Sequence, residues 1–192
     1  MEAMTIDELT ESEIYDYTYS NNLVKYEHGI LDEMLNVIST NNIERLKWFA
    51  SFGKTIRQVN MNIYAYRKGL EFGFTEIAFD KYGWLARPEF LESEIIKLGA
   101  SEIRIGRGIN HIWTYALSYT YGTAGGGSSI SVYDKPFKNR ETALNTALIE
   151  LKSLMQMQVG NTDTSNYKQV VINRTIQEIT DYKYKDLQMT LF

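Results

Sequence analysis

Ile112-Trp113-Thr114-Tyr115-Ala116-Leu117-Ser118-Tyr119-Thr120-Tyr121 is the stretch that decides the fold of this chain. Successive side chains of a strand point to opposite faces. Here Trp113, Tyr115, Leu117, Tyr119 and Tyr121 fall on one face, and Ile112, Thr114, Ala116, Ser118 and Thr120 on the other. Period-two alternation built from aromatic and β-branched residues predicts a half-buried strand. Upstream, Ile103 and Ile105 flank Arg104 in a second strand, and Gly108-Ile109-Asn110 is turn-like. Downstream, Gly122-Thr123-Ala124-Gly125-Gly126-Gly127-Ser128 reads as a loop, and Ser129-Ile130-Ser131-Val132-Tyr133 as a third strand. Together they predict a three-stranded antiparallel meander over about 102–133.

The regions on either side read as helices. Ala143, Leu144, Ala147, Leu148, Leu151, Leu154 and Met155 keep one helical stripe, and Asn139 is placed to cap it. A helix over about 140–158 therefore covers the aromatic face of the sheet. Val171, Ile172, Ile176 and Ile179 predict a further C-terminal helix. In the N-terminal half, Leu31, Met34, Leu35 and Ile38, then Ile43 and Leu46, then Ile56, Val59, Ile63 and Tyr66 step by threes and fours. Pro88 marks a boundary, and Glu89 to Leu98 reads as a short helix ended by Gly99. The expected class is α+β: a single domain over 1–181, helical in 1–70 and sheet-plus-helix in 71–181, followed by a linker and peptide motif over 182–192.

The chain has 192 residues, 44% of them hydrophobic, which is enough for a packed core and excludes a disordered tail. Cysteine is absent, which excludes disulfides, thiolate metal sites and a Cys nucleophile and fits a reducing cytoplasm. No apolar run approaches the roughly 18 residues of a membrane span. The acidic opening Met1-Glu2-Ala3-Met4-Thr5-Ile6-Asp7-Glu8 lacks the basic-then-apolar order of a signal peptide. A cytoplasmic protein with no membrane partner is expected. The net charge of −4 is unevenly spread: residues 1–50 carry 10 acids and 3 bases, residues 97–140 carry 6 bases and 2 acids. The chain can present at most a local basic face to nucleic acid.

Arg104, Arg107, Lys135, Lys138 and Arg140 make up that face. Lys138 and Arg140 flank a helix start, an end that attracts anions. The bland alternative is a solvated surface. The order strand-strand-strand-helix, with bases at the helix start, loosely resembles a double-stranded RNA-binding domain. That family's lysine-rich helix start is not matched, because Lys138-Asn139-Arg140-Glu141 sets an acid among the bases. The glycine-rich loop 122–128 lacks the lysine and the following helix that a P-loop needs, so it reads as a hairpin loop. The aromatic stripe Trp113, Tyr115, Tyr119, Tyr121 suits base stacking, but it equally suits packing on the 140–158 helix. His28 near Asp32 and Glu33, and His111 beside aromatics, lack the spacing of a metal or catalytic pair. No catalytic set, metal centre or cofactor is expected. The acidic head Glu8, Glu11, Glu13 and Asp16, with Tyr15, Tyr17 and Tyr19, reads as a solvated helix face, or as a protein-docking or nucleic-acid-mimicking surface.

The last five residues are Gln188-Met189-Thr190-Leu191-Phe192. A short linker, Tyr182-Lys183-Tyr184-Lys185-Asp186-Leu187, is expected to hold them off the last helix. Large apolar groups at a chain end are poorly ordered unless tied down, and ordering on a partner would bury them. The pattern resembles the Gln-x-x-Leu-Phe motif by which many bacterial replication, repair and DNA-modification proteins dock on the β sliding clamp. The resemblance covers five residues. It implies that Gln188 hydrogen-bonds at one subsite while Leu191 and Phe192 fill a hydrophobic one, with Met189 and Thr190 between. A fold-back of Leu191 and Phe192 onto the core is the alternative.

The resemblance implies a non-enzymatic accessory protein of bacterial, phage or mobile-element DNA metabolism, recruited to the sliding clamp. The acidic, tyrosine-rich composition also fits a phage-type inhibitor of a host defence or nucleic-acid-processing enzyme. Direct nucleic-acid binding through the 104–140 bases is the third expectation.

Overall fold

The computed structural model describes the backbone of residues 9–189 and the side chains of residues 9–185. The fold is α+β, with six helices and one four-stranded antiparallel sheet among the described residues. The chain divides into two compact units on either side of the Pro88–Glu89 link.

The first unit is helical: α1 (Glu11–Ser20), α2 (Lys25–Ser39), α3 (Ile43–Ala50) and α4 (Ile56–Glu71). Side chains that satisfy the free N–H groups of a first turn fix where helices begin. Thr10 and Glu13 exchange bonds in a capping box at α1, Asn42 accepts from Arg45 N at α3, and Thr55 accepts from Gln58 N at α4. Ile14, Ile30, Leu31, Met34, Phe49, Phe52, Val59 and Ile63 close the core. Gly69 is buried inside α4, which runs on to Glu71. Residues 72–88 are irregular and are held on α4 by Asn62 and Gln58, whose Nε2 donates to Tyr82 O at 3.3 Å. Asn62 Nδ2 donates to Phe52 O at 2.6 Å and Gly83 O at 2.9 Å, and its Oδ1 accepts from Leu85 N at 2.9 Å.

The second unit carries the sheet: β1 (Leu91–Leu98), β2 (Ser101–Arg107), β3 (Trp113–Thr120) and β4 (Gly125–Gly127), paired in that order. Then come α5 (Arg140–Gln156) and α6 (Gln169–Met189). Ile96, Leu98, Ile103, Ile105 and Leu117 face Leu144, Ala147, Leu148 and Leu151 of α5 and Ile172 and Ile179 of α6. Trp113, Tyr115 and Tyr119 pack against the same cluster, so the aromatic stripe is core.

Around the sheet, three expectations are corrected. Within the stretch 89–98, Leu91–Leu98 is a strand and not a helix: Ile96 and Leu98 alternate into the core, and Gly99, at φ +65°, turns the chain back into β2. The third predicted strand, 129–133, is a turn, because Asp134 accepts from Ser131 N at 2.7 Å and closes a local loop that competes with the sheet. Its place on the sheet edge is taken by Gly125–Gly127 from the predicted loop, giving four strands instead of three. That edge requires glycine. A Cβ on Gly125 would lie 2.3 Å from Tyr119 O, and one on Gly127 2.9 Å from Ser118 Cα.

Segment 182–187 is helical and not a linker. It contains no Gly or Pro, and Lys and Leu favour helix, so nothing stops α6 there. Among the described residues the core contacts of α6 end at Tyr182. The helix then runs on to Met189, about 10 Å at 1.5 Å per residue. Among the described residues no helix is long and apolar enough to cross a membrane.

Candidate functional site

A cleft of about 640 Å³ opens between the outer edge of β3, the 127–135 segment and α5. Tyr115, Leu117 and Tyr119 enter it from β3, Glu150 and Leu154 from α5, and Tyr133, Asp134 and Lys135 from the turn. Its shape follows from a gap in the sheet edge. Ser128 N donates to Leu117 O at 3.0 Å, and Phe137 exchanges two backbone bonds of 2.8 Å with Trp113. Between these points the chain bows away over residues 129–136. In an antiparallel ladder, backbone groups of alternate residues point to the same edge. Those of Tyr115 therefore face the gap, where no other backbone group among the described residues pairs with them.

The polar groups of the cleft are held in place. The Tyr115 hydroxyl donates to the Glu150 carboxylate. Burial, then that bond and the charges of Glu150 and Asp134, push the Tyr115 phenol far above its usual range. It therefore stays protonated at any physiological pH. Asp134 is half-buried, and burial raises its carboxyl above the usual range, partly offset by the Ser131 N–H. Lys135 is exposed, with Nζ 5.4 Å from the Phe137 ring centroid. The Tyr119 ring lies over the backbone of Gly126, where a Cβ would stand 2.9 Å from the hydroxyl. The cleft thus offers hydrogen-bond acceptors, aromatic faces and an apolar floor.

The five bases expected to form a nucleic-acid face are dispersed, and three of them are engaged. Arg104 is bound by Glu102 on its own strand. Arg107 contacts Glu92 and His111 and lies 5.9 Å from the Trp113 ring centroid. Arg140 places Nε and Nη2 at 3.0 and 2.6 Å from one Glu94 oxygen. Lys135 belongs to the cleft and Lys138 is exposed. His28 is exposed on α2, and its neighbour Glu33 is taken by Arg67 in a two-pronged pair at 2.7 and 2.6 Å. Among the described residues no three His, Asp or Glu side chains gather as metal ligands.

Of the expected clamp-docking residues, the backbones of Gln188 and Met189 are the last in α6, and Leu191 and Phe192 lie outside the described residues. Asp134, Glu150 and Tyr133 were not singled out by sequence reasoning. Glu150 sits 35 positions from Tyr115, a separation with no motif spacing. The one usable signal was Asp134, one of two acids among the six bases of 97–140. In comparisons with protein-family models, curated proteins and solved structures, nothing matches this chain.

Proposed function

We propose that this chain is a non-enzymatic accessory protein of bacterial, phage or mobile-element DNA metabolism, working in the cytoplasm and docking on the sliding clamp through Gln188, Met189, Leu191 and Phe192. One observation carries the reading: the pattern Gln188-Met189-Thr190-Leu191-Phe192. It is supported by the run of α6 past Tyr182, its last described core contact, to Met189. Docking in the extended form of the motif requires Gln188 and Met189, which are helical here, to leave α6. Attachment would then give the folded units a high local concentration near DNA, of order millimolar for short tethers. Titration of purified clamp with wild-type protein and with Leu191→Ala/Phe192→Ala tests this. Saturable binding that the double variant loses is expected, and equal binding by both proteins overturns it.

A second reading, a protein inhibitor of a host nucleic-acid-processing enzyme, is favoured by the outer face of α1. Glu11, Tyr15, Asp16 and Tyr19 share one exposed arc of that helix, while Ile14 anchors the other side. Such a face matches a basic groove, and its binding weakens with salt. Capture of a basic nuclease from host lysate, lost in Tyr15→Ala/Tyr19→Ala, separates this reading from the first.

A further inference from the structure

The cleft bounded by β3, the 127–135 segment and α5 is lined by none of the residues proposed to dock on a clamp, and its chemistry is specific. Its volume, about 640 Å³, falls in the range of small-ligand sites. Two carboxylates, Asp134 and Glu150, and one ammonium, Lys135, line it. Glu150 accepts the Tyr115 hydroxyl, and Asp134 accepts the Ser131 N–H. Neither carboxylate is paired with a Lys or Arg among the described residues. The guanidinium groups of the neighbouring elements go elsewhere, Arg140 to Glu94, Arg104 to Glu102 and Arg107 to Glu92. Asp134 therefore loses hydration without gaining a counter-charge, and a cationic guest would supply it. The rings of Tyr115, Tyr119 and Tyr133 border the same space, and aromatic faces attract cations.

We propose that this cleft binds an organic cation, a guanidinium or primary ammonium carried on a slender apolar stem, with Asp134 and Glu150 as counter-charges and the tyrosine rings as walls. An anion would meet two carboxylates and a single lysine, which argues against phosphate. The source of the cation is either a free amine or an arginine side chain of an extended peptide. The backbone groups of Tyr115 in the edge gap distinguish the two, since they match the N–H and C=O of a peptide residue.

The test uses the full chain in calorimetric titrations with two probes, agmatine and N-acetyl-arginine methylamide. Saturable binding of at least one is expected. Tighter binding of the amide probe points to the peptide source, and equal or weaker binding to the free amine. Asp134→Asn and Glu150→Gln keep shape and hydrogen bonding but remove charge, and each is expected to weaken binding about tenfold, or about 1.4 kcal/mol. Lys135→Gln removes a competing cation and is expected to tighten it. Melting curves establish that each variant is folded. Absence of saturable binding to both probes overturns the proposal. So does unchanged affinity in folded Asp134→Asn and Glu150→Gln, or loss of binding in Lys135→Gln.

Discussion

Glu150 of α5 accepts the hydroxyl of Tyr115 on β3, a bond that ties helix to sheet at the mouth of the cleft. Removing the hydroxyl in Tyr115→Phe leaves the ring in the core and is expected to cost about 0.5–1.5 kcal/mol. The same phenol predicts alkaline sensitivity. Its folded pKa is raised, so its contribution to stability is intact below the unfolded value near 10 and fades as pH climbs beyond it. Urea titrations at neutral pH and above about pH 10 should show wild type losing more stability than Tyr115→Phe over that interval.

Asp134 carries the opposite lesson for neutral pH. Burial raises its carboxyl, so the protonated form favours folding and ionisation opposes it. Stability linked to this group is present at acid pH and lost as pH rises through the folded value. Asp134→Asn is therefore expected to melt higher than wild type at pH 7, with the gap closing as pH falls to about 4, the ordinary carboxyl range. A variant that melts lower at pH 7 would refute the account.

Two buried asparagines on α4 should behave in opposite ways. Asn62→Ala strands Phe52 O, Gly83 O and Leu85 N together and is expected to cost about 2–4 kcal/mol in a denaturant midpoint. Asn60 is fully buried, yet neither side-chain polar atom finds a hydrogen-bond partner among the described residues. Asn60→Leu removes that unmet demand and is expected to stabilise by about 1 kcal/mol.

Glycines divide in the same manner. Gly125→Ala drives a methyl against Tyr119 O and should destabilise by about 1–3 kcal/mol. Gly29, inside α2, has nothing within 4 Å of an added Cβ. Gly29→Ala is therefore expected to gain about 0.5–1 kcal/mol. Paired thermal melts of the two variants check both signs.

Elements specified by their own residues were legible in the sequence. The alternation of 112–121 and the stripe of 143–155 needed no distant partner to be read, and Asn139 caps α5 through Thr142 N as its type suggests. What depended on remote contacts was not legible. Leu91-Glu92-Ser93-Glu94-Ile95-Ile96-Lys97-Leu98 is neutral between helix and strand until β2 pairs with it. Three consecutive glycines have low strand preference and become a strand only because β3 supplies an edge too close for any side chain. The cleft was least legible, because it is assembled from a turn, a strand edge and a helix joined only through space. The basic residues were visible one by one. Their engagement by Glu92, Glu94 and Glu102 was not, because two of those acids lie on a strand read as helix.

The glycine strand also sets how the molecule meets its own kind. With Tyr119 and Gly126 directly paired, ladder alternation turns the outward peptide groups of Gly125 and Gly127 to water, bare of any shielding side chain. At the opposite border, β1 is kinked by a bulge and guarded by Glu92, Glu94 and Lys97. Crowded solutions should therefore begin to zip together at the undefended glycine border, and a charged residue beside it would act as a gatekeeper against self-association.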